Sequence, residues 1–316
     1  MDLRIFGPVW DGCGVRGFSG EGYWFHKLVP NLSFKGSTLV AKTITAFPNK
    51  GNMLLTADYQ PYALFPDCID ARVIGGRALN AVGLSNPGIK AFLATERWQH
   101  IAEPFFVSFM PIGKTDEEQE RETEEFAIEL KIALRSFESR FVALQFNLTC
   151  PNVGADLSKI VEKAKRLLPI LAKLGIPIVV KINLTVAPEA AAEIAQMHEC
   201  AGLCLTNTIP FGEMPHDISW SLVYPNGSPL EKRDYGKGGL SGSGLAPLVA
   251  DWIRRFRTLD ATTYINGGGG IMRPSDVDLI REAGADSIFF TTVAMLRPWR
   301  VRSIIERGHE LAGKSY

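Results

Sequence analysis

The chain has no excess of either charge. Of its 316 residues, 34 are lysine or arginine and 34 are aspartate or glutamate, so the formal net charge at pH 7 is zero. No overall field favours nucleic acid or an anionic membrane, and the expected partner is a small molecule in a local pocket. The sequence also lacks the roughly 18 consecutive apolar residues of a membrane span and the apolar core of a signal peptide. These absences predict a soluble globular protein with no membrane partner.

Cysteine is scarce in this sequence. The five cysteines are odd in number and do not have the spacing of a zinc site, so neither a disulfide framework nor a metal centre is expected. We interpret them as reduced thiols of a cytoplasmic protein and predict no metal ligands. Cys200 and Cys204 flank the start of an apolar segment, where burial is the expected outcome.

Apolar segments of strand length alternate with segments of helix length along most of the chain. Eight strands are predicted, near residues 40, 80, 107, 144, 180, 204, 264 and 289. Most of them end in polar or glycine residues and lead into a predicted helix. This repetition predicts an α/β fold in which residues 1–316 form a single (β/α)8 TIM barrel. The active site of such a barrel lies at the carboxyl ends of its strands.

Two segments do not follow this repeat. Residues 1–24 mix short apolar runs with six glycines, which predicts an N-terminal hairpin or loop. Glycines such as Gly14 also allow backbone to approach a ligand closely. Residues 209–238 lose periodicity and are rich in proline and glycine, so we predict a long functional excursion after the sixth strand.

Residues 142–152 (VALQFNLTCPN) join an apolar strand to a cluster of polar side chains. Asn147 and Thr149 lie two residues apart and share one face of an extended chain, while the proline after Cys150 keeps that cysteine out of helical geometry. This arrangement is typical of a site at the end of a buried strand. A structural alternative is that Asn147 and Asn152 cap a turn and that Cys150 is a small buried apolar residue.

The carboxyl ends of the predicted strands are expected to form one polar rim, because they meet at the same end of a parallel barrel. Residues at this rim are Lys42, Asn80, Asn147, Cys150, Lys181, Asn207 and residues 267–270. Glycine-rich turns at residues 238–244 and 267–270 have backbone N–H groups suited to a phosphate, and Thr291 and Thr292 end the last strand beside them. A phosphate cradle, a buried lysine and a ring of amides suit a phosphorylated heteroaromatic cofactor such as FMN. Turn capping is the structural alternative for the asparagines.

Several of these segments resemble the dihydroorotate dehydrogenase family and occur in that family's order. The matching segments are Lys42 and Thr43 with Gly51 and Asn52, Leu79 and Asn80 through Gly83 and Leu84, residues 147–152 (NLTCPN), Val180 and Lys181, residues 206–208 (TNT), residues 238–242 (GGLSG), residues 269–271 (GGI) and Thr292. Each match is weak alone, but the set is highly specific. The resemblance implies an FMN-dependent oxidoreductase that acts on a CH–CH group, oxidising dihydroorotate to orotate in pyrimidine biosynthesis. It also implies a homodimer.

The resemblance implies roles for individual residues. Cys150, which stands before the Pro-Asn pair as in soluble members of the family, is implied to remove the substrate proton. Lys181 is implied to stabilise negative charge on the reduced flavin, and Lys42 to reach both flavin and substrate. Residues implied to bind substrate are Lys42, Asn80, Gly83, Leu84, Asn147, Asn152, Asn207 and Thr208. Residues implied to bind FMN are Gly14, Lys42, Thr43, Asn147, Lys181, Thr208, Gly239, Gly242, Gly269, Gly270, Thr291 and Thr292.

The sequence departs from the family pattern at a few places. Met53 follows Asn52 where Pro-Arg is usual, the turn after Asn152 is short, and Thr291 stands where glycine usually precedes the phosphate-binding threonine. Two alternatives therefore stay open: an FMN oxidoreductase for another cyclic amide or unsaturated carbonyl compound, and a non-catalytic barrel that binds phosphate or flavin. The electron acceptor also stays open among fumarate, a quinone and an electron-transfer partner subunit that carries NAD chemistry.

Overall fold

The computed structural model describes residues 2–149 and 159–312. Cys150, Asn152 and the short turn after Asn152 lie outside the described residues. The strands, in chain order, are β1 (Val9–Asp11), β2 (Leu39–Val40), β3 (Ile69–Arg72), β4 (Arg77–Asn80), β5 (Phe105–Phe109), β6 (Val142–Asn147), β7 (Ile178–Ile182), β8 (Gly202–Leu205), β9 (Ile209–Pro210), β10 (Gly239–Gly242), β11 (Ile265–Gly268) and β12 (Ser287–Phe290). The α-helices are α1 (Ile89–Leu93), α2 (Asp116–Ala133), α3 (Ile160–Ala172), α4 (Pro188–Ala195), α5 (Trp220–Val223), α6 (Ala246–Leu259), α7 (Pro274–Glu282), α8 (Thr292–Leu296) and α9 (Val301–Glu310).

Eight of the described strands form a parallel barrel. Their order around the barrel is β1, β12, β11, β8, β7, β6, β5 and β2, and each neighbouring pair in this order is parallel. The ring closes between β1 and the residue before β2, where Trp10 pairs with Thr38 and the Asp11 N–H donates to the Thr38 carbonyl at 2.8 Å. The predicted TIM-barrel fold is confirmed.

One predicted barrel strand is wrong. The strand near residue 80 is β4, which belongs to a separate antiparallel sheet in the order β3, β4, β10 and β9. Its place in the barrel is taken by β1, inside the N-terminal segment that we predicted as a hairpin or loop. Strand β1 has only three residues, all buried, between Pro8 and Gly12. A strand that short and that buried shows no alternation by which periodicity identifies it.

The glycine-rich segment at residues 238–244 is also not the turn that we predicted. Residues Gly239–Gly242 form strand β10, in which Gly239 pairs with Asn80 and Gly242 pairs with Arg77. Glycine is required at Gly242, because its φ is +100° and a Cβ there would lie 2.2 Å from the Gly76 carbonyl oxygen. The predicted excursion at residues 209–238 therefore returns through a strand that brings Asn80 toward the barrel.

The helices alternate with the barrel strands in the manner expected of this fold. Helix α2 begins at a capping box, in which the Thr115 hydroxyl accepts from the Glu118 N–H at 3.2 Å and the Glu118 carboxylate accepts from the Thr115 N–H at the same distance. A large apolar core lies between the strands and helices such as α3 and α6. Among the described residues, no helix is both long and apolar enough to cross a membrane.

Strand alternation decides which side chains point into the barrel. A small interior cluster contains Phe106, Ala143, Val179, Cys204 and Phe289, one from each of five barrel strands. Successive side chains on a strand point to opposite faces, so residues two or four positions farther along share the interior face. The interior cluster therefore forms the floor on which a site at the carboxyl ends is built.

Candidate active site

A cavity of about 600 Å³ opens at the carboxyl ends of the barrel strands. Side chains and backbone reach it from β6 and β7, from the segments that follow β1, β2, β8, β11 and β12, and from the small antiparallel sheet. Parallel barrels carry their active sites at this end of the strands. The cavity is therefore the candidate active site.

Asn147 and Lys181 reach the cavity because they continue the interior face of their strands. Asn147 is four residues after Ala143 on β6, and Lys181 is two residues after Val179 on β7. Both are nearly inaccessible to solvent, and Lys181 is 5% exposed. The Lys181 ammonium lies 5.5 Å from the centre of the Phe289 ring and 3.5 Å from the Cys13 sulfur. A buried cation is thus fixed at the floor of the cavity.

Asn207 connects the ends of β6 and β8. Its amide nitrogen donates to the Asn147 side-chain oxygen at 2.7 Å and also to the Thr149 carbonyl. The Asn207 N–H in turn donates to the Ile182 carbonyl at 3.1 Å. This network holds Asn147 and the residue that directly precedes Cys150. Within the described residues it leaves the amide oxygen of Asn207 and the amide nitrogen of Asn147 available to a ligand.

Lys42 enters the cavity from the segment after β2. Its ammonium donates to the Ser85 carbonyl and lies 4.8 Å from the centre of the Phe18 ring. Burial lowers the pKa of Lys42 to about 8, against an opposing effect of nearby thiols. Lys42 therefore changes its charge within a pH range that is accessible to binding experiments.

The segment from Asn80 to Leu84 forms another wall, and neighbouring asparagines fix its backbone. The Asn52 amide donates to the Ala81 carbonyl at 2.6 Å, and the Asn49 amide donates to the Gly83 carbonyl at 2.7 Å. Gly83 itself has a φ of +67°. Asn80 stands at the end of β4, where its amide lies 3.4 Å from the Gly239 carbonyl oxygen. The small antiparallel sheet, rather than a barrel strand, thus delivers Asn80 to the site.

Backbone donors line the opposite end of the cavity. Gly269 and Gly270 follow β11 with φ values of +101° and +85°. Their N–H groups find no hydrogen-bond acceptor within residues 2–149 and 159–312. Thr291 and Thr292 lie beside them at the end of β12. Buried N–H groups are normally bonded in a folded protein, so free donors at a cavity wall indicate a place for an anionic ligand.

The structure brings most of the predicted site residues together. Those that line the cavity are Gly14, Lys42, Thr43, Asn80, Gly83, Leu84, Asn147, Lys181, Asn207, Thr208, Gly269, Gly270, Thr291 and Thr292. Gly239 and Gly242 are not among the lining residues, whereas Ser241 of the same strand lines the cavity. Cys150 and Asn152 are outside the described residues. The roles of all these residues stay predictions.

The family model for dihydroorotate dehydrogenase matches residues 16–310 of this chain. The chain belongs to the dihydroorotate dehydrogenase family. This match spans the barrel from the segment after β1 to the end of α9, so it includes nearly every residue of the cavity. Members of the family are oxidoreductases that act on a CH–CH group, and so is this protein.

Curated dihydroorotate dehydrogenases are similar over nearly the full chain. The catalytic subunit of dihydroorotate dehydrogenase B (NAD(+)) from Endomicrobium trichonymphae is 28% identical to this chain. The alignment covers 96% of this chain and 88% of that protein. The same subunit from Listeria welshimeri is also 28% identical, and the alignment covers 94% of this chain and 86% of that protein. The subunit from Cutibacterium acnes is 28% identical as well, with 96% of this chain and 88% of that protein covered. A crystal structure of the Eimeria tenella dihydroorotate dehydrogenase with ferulenol superposes with a TM-score of 0.63 at 18% identity, covering 95% of this chain and 80% of that one. That similarity confirms the fold.

Two features of the cavity were not predicted from the sequence. Cys13 lies at the floor beside Lys181, two residues after the end of β1. The outer part of the cavity is apolar and includes Phe65 and Trp299, which are 77% and 63% exposed. The glycines on both sides of Cys13 could have identified it, because glycine allows a segment to approach a ligand closely. No comparable signal marked the apolar rim.

Proposed function

We propose that this protein oxidises dihydroorotate to orotate in pyrimidine biosynthesis, with FMN as its cofactor and Cys150 as the base. One observation carries the proposal: within a chain of the dihydroorotate dehydrogenase family, Lys42, Asn80, Asn147, Lys181 and Asn207 converge on one cavity at the carboxyl ends of the barrel. These side chains come from five separate parts of the sequence. Turn capping alone gives no reason for all of them to face the same space.

The amides and Lys42 suit the substrate. Dihydroorotate is a cyclic imide with a carboxylate, so it requires both donors and acceptors around its ring and a cation near its anionic group. Asn80, Asn147 and Asn207 each have an amide that supplies both functions. The bond from Asn207 fixes the orientation of Asn147 before any ligand binds, which reduces the ordering cost of binding.

Cys150 is the proposed base because it follows, in the sequence, a strand whose end reaches the cavity. Asn147 is the last residue of β6, and Cys150 follows the Thr149 carbonyl that accepts from Asn207. The residue before the base is therefore held by a hydrogen bond from Asn207, which follows β8. A thiolate takes the proton, whereas the thiol does not, so catalysis by Cys150 depends on its ionised form.

FMN fits the donor set of the cavity. The N–H groups of Gly269 and Gly270 offer donors to a phosphate, and the Lys181 ammonium offers a buried positive charge. When bound, FMN supplies a two-electron acceptor for the hydride that leaves the substrate. Lys181 lies in a site from which water is largely excluded, where electrostatic stabilisation is strongest.

The cofactor proposal predicts that Gly270→Ala weakens FMN binding about 10-fold to 100-fold, the effect of losing a hydrogen bond to a charged group. A Cβ at Gly270 would lie 2.4 Å from the Ala246 nitrogen, so the backbone that offers the N–H must shift. Gly212→Ala is the matched control, since Gly212 has a φ of +93° and nothing within 4 Å of the added Cβ. Fluorescence titration of the apoproteins with FMN measures the effect. Equal dissociation constants for the two variants would place the phosphate elsewhere.

The affinity for orotate should fall as the pH rises above about 8. The pKa of Lys42 is lowered to about 8 by burial, so its ammonium is charged below that pH and neutral above it. Once Lys42 loses its proton, the orotate carboxylate no longer has a cation to bind. The affinity for orotate should therefore decrease by up to about tenfold per pH unit. Titration of the holoprotein with orotate at pH 6 to 10 measures this dependence. The Lys42→Met variant should bind orotate weakly at every pH. If the affinity of the wild type for orotate did not fall near pH 8, Lys42 would not be the group that binds the carboxylate.

The assembly is also a proposal. The curated relatives are named catalytic subunits of an NAD(+) enzyme, which supports an electron-transfer partner subunit for this chain as well. We further propose that residues 1–316 form one domain, that the protein is a homodimer, and that it works in the cytoplasm. A panel of fumarate, a quinone and NAD(+), assayed with dihydroorotate, identifies the acceptor, and light scattering gives the oligomeric state.

A further inference from the structure

Cys13 is a polar floor residue of the cavity that none of the roles above includes. It follows β1, and its sulfur lies 3.5 Å from the Lys181 ammonium. The Thr43 hydroxyl donates to the same sulfur at 3.5 Å. Cys13 is half-buried and lines the cavity. A thiol is thus held between a cation and a hydrogen-bond donor within reach of a ligand.

The groups around Cys13 favour a negative charge on its sulfur. Lys181 faces it from β7 and Lys42 from the segment after β2. Two other titratable groups face it, Tyr23 from the N-terminal segment and Cys204 from β8. Burial raises the pKa of the Tyr23 hydroxyl, and burial raises the pKa of the Cys204 thiol to about 12, so both are neutral near pH 7. Two cations and no anion therefore face the Cys13 sulfur among the described residues.

Cys13 differs in this respect from the other described cysteines. Burial raises the pKa of Cys68 to about 11 and that of Cys200 to about 12. Burial also acts on Cys13 and is the largest single influence there, but Lys181, the Thr43 hydrogen bond and Lys42 together outweigh it. Its pKa is lower than that of an ordinary thiol as a result. Cys13, Cys68, Cys200 and Cys204 are all free cysteines, but their environments differ.

We propose that Cys13 is a thiolate that forms an ion pair with Lys181 and positions the Lys181 ammonium at the floor of the cavity. The geometry of the contact carries this inference, and its link to catalysis rests on the proposed function of Lys181 toward the flavin. Cys13 acts through Lys181, so it is a positioning residue. A fixed counter-charge both orients the ammonium and partly offsets its field, and removal of the thiolate strengthens the positive potential in the cavity.

The pH dependence of alkylation tests the ion pair in the apoprotein, without any need for bound flavin. Iodoacetamide reacts when the thiolate sulfur attacks its methylene carbon, forming an S–C bond and releasing iodide. Mass spectrometry of the peptides follows each cysteine separately. The midpoint for Cys13 should lie below about 8.5, the ordinary thiol value. Cys204 should stay unmodified, since it is 1% exposed.

Variants of Lys181 give the second arm of this experiment. Lys181→Met should move the Cys13 midpoint upward by about one pH unit and slow its alkylation roughly tenfold at a pH well below the wild-type midpoint, where the thiolate fraction falls by that factor. Lys181→Arg retains the charge and should retain the low midpoint. A wild-type midpoint at or above that of an ordinary thiol would overturn the proposal, and so would a midpoint that Lys181→Met leaves unchanged.

The midpoint potential of the bound flavin tests the link to function. Cys13→Ser preserves the size of the side chain and removes its charge, so the potential should become more positive than in the wild type. Cys13→Ala should shift it in the same direction. A packing role for Cys13 predicts no shift in Cys13→Ser, and that result would overturn the positioning role. A protein that binds no flavin contradicts the proposed function, whereas the alkylation profile of the apoprotein still decides the ion pair.

Discussion

Cys150→Ala is expected to retain the yellow cofactor and to slow flavin bleaching by dihydroorotate by about 10²-fold to 10⁴-fold, the usual contribution of a general base. The substitution removes the group that takes the substrate proton and leaves Lys181 and the N–H groups of Gly269 and Gly270 in place. Orotate should still bind, since the amides of Asn147 and Asn207 are unchanged. Rapid mixing of holoprotein with dihydroorotate in the absence of oxygen measures the rate.

Two further variants complete this test of Cys150. Cys150→Ser should have an intermediate rate or a pH optimum shifted upward, because a hydroxyl gives up its proton far less readily than a thiol. Cys200→Ala is the matched control, since Cys200 is a free, half-buried cysteine that does not line the cavity. Its bleaching rate should equal that of the wild type. A wild-type rate in Cys150→Ala would remove Cys150 as the base and favour another base or another substrate.

Lys181→Met is expected to slow the same bleaching by about 10²-fold to 10³-fold, which is the scale of losing one preorganised electrostatic group. Lys181 is 5% exposed at the cavity floor, and methionine preserves most of its apolar stem. The fold should survive the change, because burying a thioether costs less than burying a charge. Circular dichroism and thermal unfolding check the fold, and rapid mixing gives the rate.

Lys163→Met provides the control for Lys181→Met. Lys163 lies on α3, does not line the cavity, and has a pKa that burial lowers to about 8. Its substitution removes a second poorly solvated ammonium without touching the site, so its bleaching rate should remain that of the wild type. If dihydroorotate reduced the flavin of Lys181→Met as fast as that of Lys163→Met, Lys181 would have a structural role only.

The sequence predicted the central site residues because strand alternation controls their direction. Asn147 and Lys181 end apolar strands whose interior faces are already occupied by Ala143 and Val179. In a parallel barrel such strand ends meet at one rim, so local patterns are sufficient to bring these two side chains together. Asn207 lies three residues after the interior residue Cys204, so alternation alone does not direct it to the cavity, and its closeness to Asn147 is seen in the hydrogen bond between the two amides.

The errors have a different physical origin. Strand β1 is too short to show periodicity, and strands β4 and β10 pair across about 160 residues, as in the contact between Asn80 and Gly239. No local pattern specifies such a pairing. Apolar residues before Asn80 therefore resembled a barrel strand, although their partners belong to the small antiparallel sheet. The barrel closes where Trp10 pairs with Thr38, and neither of these two segments alone predicts that pairing.

Cys13 was missed for the same reason. Its sulfur meets an ammonium 168 residues farther along the chain, and its environment exists only after the barrel closes. Near residue 13 the sequence shows a thiol between two glycines, which is consistent with a loop or with a close approach to a ligand. Only the contact with Lys181 distinguishes a charged floor residue from a passive one.

Anaerobic mixing of the purified wild-type protein with dihydroorotate tests the central claim most directly. The protein should be yellow as purified, and release of its cofactor should yield FMN. Addition of dihydroorotate should bleach the flavin absorbance and form one orotate for each flavin reduced. A flavin that dihydroorotate leaves fully oxidised, in a protein whose FMN content is complete, would contradict dihydroorotate oxidation as the function of this chain.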